Sequence, residues 1–108
     1  MEPVRNYKIV VTVPTANADT LRSEMAKAGG GKVGLYTNCS FSSKGIGRFM
    51  AGEGAHPAIG DVGVLEEVEE DKVEINCSKE VVGNVIAAIK RIHPYETPVI
   101  DIYPLEDW

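Results

Sequence analysis

The apolar residues of this chain repeat at two different spacings, and the order in which those spacings occur leaves few folds open. From Ser78 to about Ile92 the residues Val82, Val85, Ile86 and Ile89 fall at i, i+3, i+4 and i+7, the stripe of an amphipathic helix with Ser78 as its N-cap. A second stripe, Ala18, Leu21, Met25 and Ala28, follows Pro14 and stops at Gly29-Gly30-Gly31. Thr15 or Asn17 caps it, and glycine accepts the left-handed backbone that a helix end often needs. Elsewhere the period falls to two. Tyr7 to Val13 reads as a central strand, apolar on both faces, and Leu35 to Phe41 as a strand of alternating character. Val62 to Glu69 and Lys72 to Cys77 are strand-like, with Asp71 as a bend or bulge between them. Pro98 to Tyr103, bounded by Pro104, forms the last strand.

The order strand, helix, strand, strand, helix, strand predicts an α+β domain, the ferredoxin-like βαββαβ sandwich. In that fold an antiparallel sheet carries both helices on one face, and here a long connection joins the second and third strands. With 108 residues there is room for one such domain, residues 1–108, and one core. The uncovered sheet face then needs a partner, and a second copy of the chain is the expected one, giving a homo-oligomer.

Ten of the 11 glycines lie between Gly29 and Gly63, so the connection from Ser42 to Gly60 is read as a glycine-rich loop. Within it Ser42, Ser43, Lys44, Gly45, Gly47 and Arg48 are the parts of an anion cradle: hydroxyls, cations, and glycines that let backbone N–H groups approach. The simpler reading of the same segment is a long, mobile hairpin, since it matches neither a P-loop nor GxGxxG. Glu53 and Gly54 continue the loop beside His56. Near the C-terminus His93, Tyr95 and Glu96 sit between Pro94 and Pro98, where a stiff backbone suits either a site or a helix-to-strand corner.

Charge and thiols narrow the classes. Eleven basic against 16 acidic residues give −5, the wrong sign for a nucleic-acid binder. No segment reaches the length of a membrane span and no signal peptide precedes the first strand, so a cytoplasmic chain is expected. Cys39 and Cys77 are read as reduced thiols, and a hairpin symmetric about Ala58 would set them opposite each other. Two histidines and two cysteines, scattered, do not make a metal site within one chain, and no cofactor or catalytic residue is assigned. The acidic run Glu66 to Asp71 is read as a solvated edge.

Four motifs carry a resemblance: Asn38 to Gly45, Gly52 to Gly60, Leu65 to Glu69, and His93 to Pro98 with Asp101 to Leu105. In this order they resemble the insert domain of the YqfO family, dimetal-binding proteins related to type 2 GTP cyclohydrolase homologues. That insert is similar in fold to the PII signalling proteins and CutA, ferredoxin-like trimers. The resemblance therefore implies a trimer and places the glycine-rich segment where PII proteins carry their regulatory loop. It covers the insert alone, and the family's metal ligands lie in the flanking halves, so no metal role is carried over. The expected function is a binding or regulatory module that meets a small anionic ligand or a protein partner through the loop. The alternatives are a component of a metal-dependent hydrolase, with His93, Tyr95 and Glu96 as acid/base candidates, and a structural interaction domain.

Overall fold

The computed structural model describes residues 3–108. Its elements follow in the order β1 (Asn6–Pro14), a 3-10 turn (Thr15–Asn17), α1 (Ala18–Lys27), β2 (Phe41–Met50), β3 (Leu65–Ser78), α2 (Val82–Ile92) and β4 (Ile100–Leu105). The strands form one antiparallel sheet in the order β2-β3-β1-β4. This is the ferredoxin-like arrangement expected from the periodicities.

The core lies between the sheet and the helices. Ile9, Val11 and Val13 of β1 and Val73, Ile75 and Cys77 of β3 point to this side, and Leu21, Met25, Val85 and Ile89 close over them. Alternation along the strands explains the selection, because neighbouring residues face opposite ways. Burying each of these side chains stabilises the fold by about 1.5–3 kcal/mol. Where Gly30 approaches β3, the closeness of Ile75, Val85 and the Met25 carbonyl leaves little room for a side chain.

Of the two cap positions read for α1, the structure uses Asn17, and α2 begins later than Ser78 suggested. Thr15 forms part of the 3-10 turn and spends its hydroxyl on Asp71, so α1 starts at Ala18 without a side-chain cap. Ser78 remains the last residue of β3, and its carbonyl accepts from the Val81 N–H in a turn that delays α2 to Val82. The end of α2 fits the sequence: His93 is already extended because Pro94 disfavours a helical predecessor. Pro104 does not bound the last strand but lies within it. β4 is a sheet edge, where a missing N–H on the outer side costs no ladder bond.

The largest difference concerns β2. Leu35 to Phe41, the alternating stretch, is mostly loop, with Leu35 fully exposed. Gly34 and Asn38 take positive φ, and the Cys39 N–H bonds the Gly31 carbonyl, so this stretch turns back on itself. The strand is instead Phe41–Met50, which contains the whole segment Ser42 to Arg48 read as an anion cradle, paired with β3 from Phe41↔Glu74 to Met50↔Leu65. Serine, glycine and lysine have weak strand preference, and the long unbroken β3 supplies the ladder that overrides it. β3 runs through Asp71 without a break. The true connecting loop is therefore residues 51–64.

That register also separates the cysteines. It differs by one residue from the symmetric hairpin, and a one-residue slip exchanges the faces. Cys77 lies opposite Tyr7, buried on the helix side, while Cys39 precedes β2; both thiols are free. Burial pushes the Cys77 thiol pKa up, as for a small hydrophobe rather than a nucleophile.

Residues 65–69 of β3 extend past the end of β1 and pair with β2 alone, so the hairpin projects as a two-stranded ribbon from a domain 46 Å long. Among the described residues, no helix is long and apolar enough to cross a membrane.

Candidate ligand site on the open sheet face

Strand alternation divides the candidate residues between the two faces of β2. Ser42, Lys44 and Arg48 share the helix-side parity, whereas Ser43, Gly45, Gly47 and Phe49 face the side that the helices leave open. The consequence is chemical. Ser42 accepts a hydrogen bond from Arg22 (3.0 Å), and the Lys44 ammonium reaches Asp71 at 2.7 Å. Arg48 pairs across the strands with Glu67 at 3.3 Å, both partners well exposed. The two cations that the sequence offered to an anion are thus engaged by carboxylates of β3.

Asp71 is the centre of the helix-side cluster. It is 2% exposed and takes Lys44, the Thr15 hydroxyl (2.8 Å) and the Arg22 guanidinium (3.1 Å). These donors, Lys44 first, hold its pKa down to about 2 against the opposing effect of burial. Arg22 also binds Asp19, which with Asp71 raises the guanidinium pKa further. Asp71 therefore fastens β2, β3, α1 and the 3-10 turn at one point.

On the open face the chain makes a cavity of about 530 Å³. Its floor is sheet: Thr12 of β1, Ser43 to Phe49 of β2, and Glu70 and Lys72 of β3. One wall comes from the connecting loop through Ala55, Pro57, Ala58 and Ile59; the other is the corner Tyr95 to Thr97 with Val99. The loop and corner are joined where the His56 N–H donates to Glu96 at 2.8 Å.

The corner is held by His93. This imidazole is buried, with Nε2 2.8 Å from the Thr12 carbonyl and Nδ1 accepting from the Tyr95 N–H at 3.1 Å. Those partners select the tautomer that carries its proton on Nε2. Both ring nitrogens are occupied, which makes His93 a tie between β1 and the corner. Tyr95 then leans over β2, its ring edge-on to Phe49 at 5.5 Å, and its phenol donates to Glu70 Oε2 at 2.8 Å. Burial first, then the hydrogen bond to Glu70 and last its charge raise the phenol pKa, so it remains a donor at neutral pH.

Gly45 and Gly47 acquire a reason from this geometry. Gly45 pairs directly with Glu70, and the Glu70 carboxylate lies over Gly47, where an added Cβ would collide with it. Glycine at 47 makes room for the buried Glu70 carboxylate. Glu53 and Gly54 lie in the exposed part of the loop and outside the cavity lining, Gly54 with φ +89°.

Glu70 and Asp71 are the residues that sequence reasoning misses, because the acidic run Glu66 to Asp71 reads as a solvated edge. One signal pointed to Asp71: the inward set Val73, Ile75, Cys77 extends backward by two to that position. Among the described residues, no three side chains of His, Cys, Asp or Glu converge as a metal site.

No family model matches the chain. Likeness to known proteins is nevertheless extensive. A "GTP cyclohydrolase 1 type 2 homolog" of Halalkalibacterium halodurans is 46% identical over 99 residues, which are 92% of this chain and 27% of that protein. The Bacillus cereus protein related to NIF3 superposes with TM-score 0.82 at 36% identity, over 99% of this chain and 27% of its own. Two more distant structures share the fold. They are the periplasmic divalent cation tolerance protein CutA of Archaeoglobus fulgidus (TM-score 0.66, 19% identity, 95% of this chain and 86% of that one) and Bacillus subtilis GlnK in its ATP complex (0.61, 22%, 94% and 84%). The architecture accordingly defines a PII/CutA-like α+β domain. In particular, nearly the whole chain is similar to one segment of YqfO/NIF3-family proteins, spanning about a quarter of the length of the curated relatives it matches.

Proposed function

We propose that this domain is a regulatory or binding module that acts as a homo-oligomer and receives a small ligand in the cavity beneath the connecting loop. The observation that carries the reading is the cavity itself. Its volume suits a small organic molecule, and apolar walls with a few converging polar groups are the usual composition of such sites. The anionic group expected of the ligand belongs at Lys72 and the Ser43 hydroxyl, which share the open face, and not at Lys44 and Arg48, whose charges are already paired. GlnK, a protein of like fold, is described with the anionic ligand ATP. The exposed loop around Glu53 and Gly54 is left for a protein partner.

The oligomer we propose is a trimer, following the resemblance to PII and CutA. Exposed apolar residues support association: Ile46, Met50 and Leu65 share one face of the ribbon, with Met50 directly opposite Leu65.

Titration of the labelled protein with nucleotides, phosphorylated metabolites and amino acids, followed by amide chemical shifts, tests the ligand reading. We expect perturbations at Ser43, Lys72 and Thr97, weakened for anionic compounds by Lys72→Ala. A panel that moves none of the cavity residues overturns it.

A further inference from the structure

Glu70 is a charged group placed where charge is costly, and its two oxygens are treated differently. The residue is only 7% exposed, yet it forms part of the cavity floor. Oε2 is taken by the Tyr95 phenol. Oε1 has no hydrogen-bond donor among the described residues. No side-chain polar atom among them is both fully enclosed and unbonded, so this oxygen, which lies against Gly47, keeps accessible surface at the cavity floor. An ionised carboxylate only accepts, and an acceptor left open in a largely apolar cavity calls for a donor from outside.

Resting on the reading of the cavity as a ligand site, we propose that Glu70 Oε1 accepts a hydrogen bond from a nitrogen of the ligand. The cavity then selects a small organic molecule with an amine, amidine or amino-heterocycle edge on a flat apolar body. The surroundings fit that body. Phe49 and Tyr95 set an aromatic corner beside the carboxylate, and Ala55, Pro57 and Ile59 form the facing wall. Gly47 lets the carboxylate lie against β2, and the Tyr95 phenol fixes its orientation, so the unbonded oxygen is held in one place. A bare anion is repelled at this end. Lys72 and Glu70 read opposite ends of one bipolar ligand.

Three probes of the same shape isolate this contact: benzamidine only donates, benzamide donates and accepts, and benzoate only accepts. We expect the amides of Gly47, Glu70 and Tyr95 to respond in the order benzamidine, benzamide, benzoate. Glu70→Gln, which retains an acceptor for Tyr95, lowers the ratio of benzamidine to benzoate affinity about tenfold, the scale of a charge-assisted hydrogen bond. An unchanged ratio overturns the nitrogen-donor reading while leaving the cavity as a binding site. Silence of all three amides toward every probe overturns the cavity reading and this one together. Tyr95→Phe serves as the second variant, since it frees Oε2 for a two-oxygen grip on the amidine. The preference for benzamidine then grows, and a preference that stays level or shrinks counts against the proposal.

Discussion

Gly45 and Gly47 are two residues apart on one strand face, yet their surroundings make opposite demands. A Cβ at Gly45 meets nothing within 4 Å, whereas one at Gly47 runs into the Glu70 carboxylate. Gly45→Ala should therefore leave stability within about 0.5 kcal/mol of the parent, and Gly47→Ala should cost about 1–3 kcal/mol by forcing Glu70 and Tyr95 apart. Urea denaturation of the two variants checks the contrast, and equal losses would contradict the placement of Glu70. Asp71 gives a prediction in pH. Folding lowers its pKa from the ordinary 3.8 to about 2, so the native state binds the proton less readily than the unfolded chain does. Its contribution is fully present above about pH 4 and drains away as pH falls toward 2. Asp71→Asn should cost about 2 kcal/mol at pH 7, and the gap from the parent in urea melts should narrow below pH 4. A gap that is constant down to pH 2.5 would mean that the carboxylate charge contributes nothing.

Among the elements, β2 shows how pairing overrides local preference. Its ten residues include two glycines, two serines and two cations, a composition that reads as loop until β3 is laid beside it. Once paired, each cation finds a carboxylate opposite, Lys44 with Asp71 and Arg48 with Glu67. These pairs are not equivalent, because Asp71 is buried and Glu67 is exposed. Arg48→Ala should change stability by less than about 1 kcal/mol, as exposed ion pairs usually do, and thermal unfolding measures it. The corner after α2 depends instead on one side chain. His93→Ala removes the tie to the Thr12 carbonyl and the acceptor for the Tyr95 N–H, at about 2 kcal/mol. It should also loosen the corner, seen as faster amide exchange at Tyr95 and Thr97. Unchanged exchange there would show that Pro94 and Pro98 alone hold the corner.

At the scale of the whole molecule, the sheet ends in two edges, β2 and β4, and a ribbon that no helix covers. Sedimentation equilibrium should give three chain masses, and Met50→Lys with Leu65→Lys on the ribbon should shift the distribution toward smaller species. A single chain mass at micromolar concentration would overturn the oligomer. What was legible without coordinates was the order of elements, both helix stripes, the strand faces Tyr7 to Val13 and Val73 to Cys77, and the stop at Gly29 to Gly31. All of these follow from spacing and backbone preference within one segment, which the chain states locally. The His93 to Glu96 corner was also found, because two prolines mark it. The position of β2, the division of Ser42 to Arg48 between two faces, and the burial of Glu70 and Asp71 were not legible. A strand's face follows from its register, and register is set by the partner strand, so only the tertiary structure decided which charges are paired and which oxygen remains open.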